Sequence, residues 1–278
     1  MVTVAVLVAA VLHAGWNAVA KALPNGLVTF ALLELGATGC ALVALPFVAV
    51  PAPGAWPWLV ASAATHNAYD LLLIRSYRLG PFNQAYPLAR GTGPLVVAAV
   101  GLLVLRETLA PAQWVGVLVV GASLVFLAVG SGTRFTADDR PAVLAALLTG
   151  VAIAGYTIMD GIGVRHSGTA VGYSAYLFLL SGPPIPVVVL LLRRRRLPRP
   201  VPRNTWPALL GGVMSVAAYG LVIWAQSRGV LAAVAALREC SVVVAAVIGV
   251  LVFHERLGRS RVIAAIGVAA GVVLISAG

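Results

Sequence analysis

Apolar residues occupy the chain in long runs, and proline, glycine or charged residues separate one run from the next. A helix needs roughly 20 predominantly apolar residues to cross the hydrocarbon core of a bilayer. Runs of that length predict transmembrane helices at 2–21, 26–50, 57–77, 81–105, 110–130, 141–163, 170–192, 205–227, 230–253 and 261–277. The sizeable loops between them are 131–140 and 193–204. The pattern therefore predicts an all-α integral membrane protein of about ten transmembrane helices.

The composition indicates that lipid is the solvent for this chain. Of its 278 residues, 61% are hydrophobic and 10% are charged, and the mean hydropathy is +1.00. That leaves too little polar surface for a water-soluble globule. The basic residues behind the net charge of +11 lie scattered between the apolar runs. A nucleic-acid partner would favour a gathered basic face, so the predicted partners are the bilayer and a small-molecule substrate.

The sequence predicts no cofactor, metal site or disulfide. Cys40 and Cys240 both fall inside predicted spans, where we expect them to act as small packing residues. The sequence contains no HExxH motif and no P-loop, so an enzyme is not predicted. The first run has no basic residues ahead of it and contains His13 and Asn17, which favours a first span over a cleaved signal peptide.

An internal repeat predicts the architecture. A shift of 148 positions lays Arg90, Gly101, Glu107 and Leu109 on Arg238, Gly249, Glu255 and Leu257. The predicted units are a first five-helix repeat at 1–130, a connecting loop at 131–140 and a second five-helix repeat at 141–278. Because each repeat contains an odd number of spans, the second repeat must enter the membrane from the side opposite to the first. Inverted repeats with a site near the midplane are typical of secondary transporters.

Two arginines lie at equivalent places within the predicted spans. The sequence PFNQAYPLARGTGP, from Pro81 to Pro94, surrounds Arg90 with prolines and glycines and predicts a loosened helix there. A charge at the centre of a span costs at least about 2.5 kcal/mol unless it is paired or faces water, so it marks a candidate site. Arg90 and Arg238 together are predicted to clamp a carboxylate, phosphonate or phosphate group. The alternative is that each arginine pairs with a carboxylate and locks its own repeat.

Three predicted helices carry a polar face. On span one, His13, Asn17 and Lys21 follow helical spacing, and Trp16 lies beside them. On span six, one face carries Tyr156, Thr157 and Asp160. The polar residues of span three are His66, Asn67 and Asp70. Each face alone is explained by interhelical hydrogen bonds, but their convergence favours a shared site. The predicted substrate-binding residues are Arg90, Arg238, Trp16, Asn17, Tyr156 and Tyr86.

Four carboxylates within the predicted spans are candidates for proton coupling: Glu34, Asp70, Asp160 and Glu239. A low-dielectric environment favours the protonated form of a carboxyl group, so one of them could bind and release a proton in each cycle. The alternative is a salt bridge to Arg90, Arg238 or Lys21. Asp160 lies near the predicted end of span six, which also allows an interfacial position. Glu107 and Glu255 are predicted to cap the ends of spans four and nine.

The chain resembles the EamA-like drug/metabolite transporters. The likeness lies in the ten spans, the GWN of span one, the YPLARGTGP that ends at Pro94 and the LRECSVVV of span nine, and it covers essentially the whole length. The resemblance implies a carrier that exports amino acids or related metabolites, while relatives move nucleotide sugars, lipid-linked sugars or drugs. It also implies two five-helix repeats.

These observations together predict a secondary transporter that exports a small anionic or zwitterionic metabolite across the cytoplasmic membrane by alternating access. Two alternatives stay open: a flippase for lipid headgroups or lipid-linked sugars, and a membrane scaffold that transports nothing. The predicted assembly is a monomer or a homodimer, and Gly267 and Gly271 form a GxxxG pair suited to helix packing or to a dimer face.

The loop charges predict the orientation. The loops that follow odd-numbered spans hold 14 Lys and Arg residues, against three in the loops that follow even-numbered spans. Because basic loops stay in the cytoplasm, both termini are predicted to face away from it. The family resemblance implies cytoplasmic termini instead, and we follow the charge count.

A reporter enzyme that is active only outside the cytoplasm, fused after Gly278, tests this orientation. We expect the reporter to be active, because the basic loops that follow odd-numbered spans stay in the cytoplasm and place the end of span ten outside it. A second fusion after Gly130, at the end of the fifth predicted span, serves as the matched control and should be inactive. Activity after Gly130 but not after Gly278 would reverse the assignment.

Overall fold

The structure, a computed structural model, describes residues 1–23, 26–79, 82–130, 139–193, 205–252, 254 and 258–277. Over these residues the chain forms twelve α-helices and no strand. The helices are α1 (Val2–Ala22), α2 (Gly26–Ala44), α3 (Trp56–Leu79), α4 (Phe82–Leu103), α5 (Pro111–Val129), α6 (Arg140–Ser167), α7 (Ala170–Ser181), α8 (Pro184–Arg193), α9 (Trp206–Gln226), α10 (Leu231–Arg238), α11 (Ser241–Leu251) and α12 (Arg259–Ala277). The long loops and Glu255 lie outside the described residues.

The twelve helices make up ten transmembrane spans, because two of the spans consist of two helices each. α7 and α8 form one span that is interrupted at Gly182 and Pro183, and α10 and α11 form another that is interrupted at Glu239 and Cys240. Among the described residues, nine segments are long and apolar enough to cross a membrane. The tenth span, α3, is not among these segments, because it carries polar residues in its middle, including Asn67 and Asp70. The predicted all-α membrane fold is confirmed.

The prediction of a loosened span four is wrong. α4 runs without interruption from Phe82 to Leu103, with Pro87 and Pro94 inside it. The irregular backbone falls instead in the second repeat, where the span that contains Arg238 breaks directly after it. Backbone that lacks helical hydrogen bonds within a membrane must be buried in protein, and Glu239 at this break is 1% exposed.

The helix contacts follow a pseudo-twofold pattern. α3 of the first repeat packs on α6 of the second, and their repeat equivalents, α9 and α1, pack on each other. In the same way α2 packs on α9 while α7 packs on α3, and α4 packs on α6 while α10 and α11 pack on α1. α5 with α12, and α2 with α7 and α8, are the pairs that lie across the axis. This is the arrangement of two inverted five-helix repeats.

Glycines permit the close contact of α5 with α12. A Cβ atom added at Gly116 would lie 2.6 Å from the side chain of Ile275 and 2.7 Å from the carbonyl oxygen of Gly271, too close for any larger residue. A Cβ atom added at Gly271 would lie 2.6 Å from Val120. Gly267 faces Ser123 on the same helix pair. The GxxxG pair therefore packs against a helix of its own chain.

A cluster of contacts around Arg165 joins the two repeats at one end of the bundle. Arg165, near the end of α6, donates from Nη1 to Glu107 Oε1 at 2.7 Å, from Nη2 to the Gly229 carbonyl at 2.8 Å and from Nε to the Gln226 carbonyl at 3.2 Å. Glu107 Oε2 in turn accepts a hydrogen bond from the Leu231 amide at 2.9 Å. Glu107 thus caps the first turn of α10, a helix of the other repeat, and the cluster joins the two repeats.

Replacement of Glu107 by Ala should loosen this end locally. The variant loses one charged pair and one hydrogen bond to a helix start, so amide exchange over residues 226–234 should rise about tenfold. Hydrogen–deuterium exchange of the purified protein in detergent measures the effect. Arg106→Ala removes a neighbouring exposed charge and is the matched control. Equal exchange in both variants would show that the cluster does not hold the two repeats together at this end.

Candidate functional site

A buried ion pair joins α4 to the break between α10 and α11. Arg90 donates from Nε to Glu239 Oε2 at 2.8 Å and from Nη2 to the Ser241 hydroxyl at 2.8 Å. The relative exposures of the two side chains are 4% and 2%. Tyr86 lies one turn earlier on α4, with its ring centroid 5.8 Å from Arg90 Cζ. Arg90 thus pairs with a carboxylate, as in the structural alternative, but Glu239 lies in the other repeat, so the pair joins the two repeats and does not lock one of them.

Arg238 is placed differently from its repeat equivalent. It is 7% exposed, and its Nη2 donates to the Tyr156 hydroxyl at 3.2 Å. Its Cζ lies 5.5 Å from the ring centroid of Tyr219 and 5.9 Å from that of Tyr156. Within the described part of the chain, its buried Nη1 has no hydrogen-bond partner. A buried guanidinium donor without a partner is costly, so this atom marks a position where a ligand acceptor would be stabilised.

A small pocket lies against Arg238. Its wall consists of side chains from α1, α9 and α10: Ala9, Ala10, His13, Ala218, Tyr219, Val222 and Arg238. The wall is largely apolar, and its polar atoms come from one arginine, one histidine and one tyrosine. Its empty volume is about 230 Å³, below the range that is usual for small-molecule sites, but its lining of apolar side chains with a few converging polar groups is of the kind found in such sites.

The polar face of α1 reaches this site in part. His13 lines the pocket, and its Nε2 lies 3.4 Å from Arg90 Nη1. Trp16 packs edge-on against His13 with the ring centroids 5.1 Å apart, and its buried Nε1 has no partner among the described residues. Asn17 instead donates its amide to the His13 carbonyl on its own helix at 2.8 Å. The side chain of Lys21 lies outside the described residues.

Asp160 belongs to a second buried cluster next to the pocket. Its Oδ1 accepts from the Tyr173 hydroxyl at 3.1 Å and its Oδ2 from the Tyr219 hydroxyl at 2.6 Å. His66 stacks on Tyr156 with the centroids 4.0 Å apart and meets Tyr219 edge-on at 5.4 Å. Asp160 is 0% exposed, and α6 continues for two more turns to Ser167. The interfacial position considered for Asp160 is therefore wrong, because span six is longer than predicted.

The other predicted carboxylates divide between two places. Glu239 lies in the ion pair with Arg90, whereas Glu34 on α2 and Asp70 on α3 interact electrostatically with each other. The structure thus brings together the predicted residues Arg90, Arg238, Tyr86, Tyr156, Trp16 and Glu239, with Asp160 close by, and it sets Glu34 and Asp70 apart from them. No group of three metal-ligand side chains occurs in the described residues.

Three residues of the site were missed in the sequence. Tyr219 touches both Arg238 and Asp160, Tyr173 binds Asp160, and Ser241 binds Arg90. Ser241 follows Arg238 by three residues, but the shift of 148 lays it on Gly93, so the repeat relation gives no signal for it. Tyr219 and Tyr173 stand singly in apolar runs, where a tyrosine in a span reads as a packing or interface residue.

Comparisons with known proteins identify the family. Residues 140–277, about half of the chain, match the model of the EamA-like transporter family. A solved crystal structure matches 99% of this chain and 98% of its own with a TM-score of 0.78 at 21% identity, which shows the same fold. The comparison with curated proteins gives no match. The chain belongs to the EamA-like transporter family, whose members are membrane transporters rather than enzymes.

Replacement of Glu239 by Gln should destabilise the protein. The change leaves the Arg90 charge buried without a counter-ion, and loss of one partner of a buried pair costs about 3 kcal/mol. Thermal unfolding in detergent micelles measures the loss as a lower Tm. The matched control, the double variant Arg90→Met with Glu239→Met, removes both charges and should recover much of the Tm. A double variant as unstable as Glu239→Gln would contradict the charge explanation.

Proposed function

We propose that this membrane transporter of the EamA-like family exports a small anionic or zwitterionic metabolite, such as an amino acid, across the cytoplasmic membrane by alternating access. The observation that carries the proposal is the unpartnered Nη1 of Arg238 beside the pocket. A carboxylate there would accept the hydrogen bond that Nη1 lacks and would offset the buried positive charge. Neutral substrates would supply only the first of these.

Arg238 is the main anchor in this proposal, and Arg90 has a supporting role. Nε and Nη2 of Arg90 are already bound to Glu239 and Ser241, so the two arginines do not offer equal forks to a substrate. The charge of Arg90 is balanced by Glu239 at 2.8 Å, whereas the charge of Arg238 has no carboxylate within salt-bridge distance among the described residues. An anion in the site would therefore be drawn to Arg238.

The remaining wall supports a small substrate with an apolar or cationic part. Alanines at 9, 10 and 218 leave a short apolar surface. The ring of Tyr219 lines the pocket beside Arg238, and an aromatic ring attracts an ammonium group as well as apolar groups. This combination supports an amino acid or a related compound. Trp16 Nε1 adds a second donor that lacks a partner.

Alternating access requires one end of the bundle to close while the other opens. The Arg165 cluster joins the two repeats at the end where α6 and α9 finish, and its contacts are polar and partly exposed, with relative exposures of 36% for Arg165 and 13% for Glu107. Exposed polar contacts are weak compared with buried ones, so this end can open without loss of the core. The rocking of one repeat against the other supplies the motion.

Metabolite profiling of cells tests the substrate and its direction. Cells that overproduce the native chain are compared with cells that make equal amounts of Arg238→Ala or Arg228→Ala. Arg228 is an exposed arginine of the same repeat that lies over Trp224, so it is a matched control. We expect a carboxylate or phosphonate compound to accumulate in the medium with the native chain and Arg228→Ala, and to fall at least tenfold with Arg238→Ala, because loss of a charged hydrogen bond costs at least about 1.4 kcal/mol.

Three outcomes would contradict the proposal in different ways. Depletion of the compound from the medium would reverse the direction of transport. A metabolite profile that does not change in Arg238→Ala would show that Arg238 does not bind an anionic substrate. Shifts confined to lipids or lipid-linked sugars would favour the flippase instead.

A further inference from the structure

The environment of Asp160 differs from that of Glu239, the other buried carboxylate of the site. Glu239 and Arg90 neutralise each other, but the hydrogen bonds of Asp160 come from three hydroxyl groups, those of Tyr173, Tyr219 and Ser62. Hydroxyl groups stabilise a carboxylate by hydrogen bonds and carry no opposite charge. A fully buried carboxylate that lacks a salt bridge exchanges its charge for a proton more readily than one in an ion pair.

The groups that face Asp160 come from each helix packed around α6. His66 faces it from α3, Tyr173 from α7 and Tyr219 from α9. The ionisable groups of α4 are Tyr86 and Arg90, the latter bound to Glu239, and that of α10 is Arg238, whose Cζ lies 5.5 Å from the centre of the Tyr219 ring. His66 interacts electrostatically with both Asp160 and Arg238.

Tyr219 connects Asp160 to the pocket directly. Its hydroxyl is 2.6 Å from Asp160 Oδ2, its ring centroid is 5.5 Å from Arg238 Cζ, and its side chain forms part of the pocket wall. Any ligand that binds Arg238 Nη1 therefore touches or displaces the side chain that holds Asp160. The proton site and the anion site share one residue.

We infer that Asp160 is a proton-binding site whose occupancy is linked to the anion on Arg238, so that substrate and proton are carried together. With Asp160 ionised, the charges of Arg90, Glu239, Arg238 and Asp160 cancel. A monoanion on Arg238 then leaves one uncompensated negative charge in a low-dielectric site, and one proton on Asp160 restores neutrality. The inference rests on the proposed function, since the anion on Arg238 supplies the linkage.

The proton comes from water at whichever end of the bundle is open and forms an O–H bond on one carboxyl oxygen of Asp160. That group donates to a tyrosine hydroxyl oxygen, while the other carboxyl oxygen still accepts from the second tyrosine. The proton leaves with the anion at the opposite end. For a monoanion the cycle moves no net charge, so each pH unit by which the cytosol is more alkaline raises tenfold the substrate ratio that export needs. The carrier would then release substrate only when it accumulates in the cytosol.

Infrared spectroscopy of the reconstituted full-length protein tests the proton site without a known substrate. The band of protonated carboxyl groups is followed against pH, and the part lost in Asp160→Asn belongs to Asp160. In Arg238→Gln that part should persist to a pH about one unit higher, because the positive charge that offsets Asp160 in the sum of the buried charges has been removed. Arg228→Gln should match the native protein. If Asp160→Asn does not fold, Tyr219→Phe, which keeps the ring and deletes the donor, should also extend the band to higher pH.

Ethanesulfonate, a small anion that neither titrates in this range nor has a carbonyl band, tests the linkage. It should extend the Asp160 band to higher pH in the native protein and leave Arg238→Gln unchanged. Binding of ethanesulfonate, seen as a higher Tm that depends on Arg238, without movement of the band would overturn the linkage and leave the proposed function intact. No binding, together with a shifted band in Arg238→Gln, would count against the anion site and retain the proton site. Identical spectra for Asp160→Asn and the native protein would overturn the inference.

Discussion

The ion pair between Arg90 and Glu239 is the interaction on which the rest of the site depends. Lipid offers no partner to a charge, so the carboxylate of Glu239 needs a partner from within the protein. Arg90 meets that need from the other repeat, since it binds the side chain of Glu239 at the break and that of Ser241 after it. The backbone of the break is hydrogen-bonded to its own chain, with the amides of Glu239 and Cys240 bound to the carbonyls of Ala236 and Leu237, so the ion pair ties this turn to α4.

The equivalent arginines of the two repeats have different roles because the residue that follows each of them in the sequence differs. Arg90 is followed by Gly91, and Arg238 is followed by Glu239. The second repeat thus supplies a carboxylate that neutralises the arginine of the first repeat, and the first repeat has no carboxylate at the equivalent place to neutralise Arg238. An inverted repeat with perfect symmetry would pair both arginines and leave no free donor. The asymmetry of a single position therefore leaves Arg238 without a carboxylate partner, and its Nη1 without a hydrogen bond among the described residues.

Most of the fold was predictable from the sequence, because the length of apolar runs is a direct response to bilayer thickness. The breaks were harder to predict. Pro87 and Pro94 suggested a loosened span four, yet α4 is one continuous helix that packs on α5 and α6, whereas no proline marks the break at Glu239. The arginines and the Tyr156 face were predictable since polar residues in lipid are rare. The role of Tyr219 was not, because only the packing of α9 against α6 and α10 brings it to both Asp160 and Arg238.

The glycine contact between α5 and α12 has a consequence for biosynthesis. Gly116 and Gly271 touch across more than half of the chain, and the packing of α1 on α9 spans a similar distance. Helices enter the membrane in chain order, so α5 must wait in lipid with its small-residue face uncovered until α12 arrives. Contacts that are so distant in sequence form slowly. The contact of α5 with α12 is therefore among the last that the bundle can form.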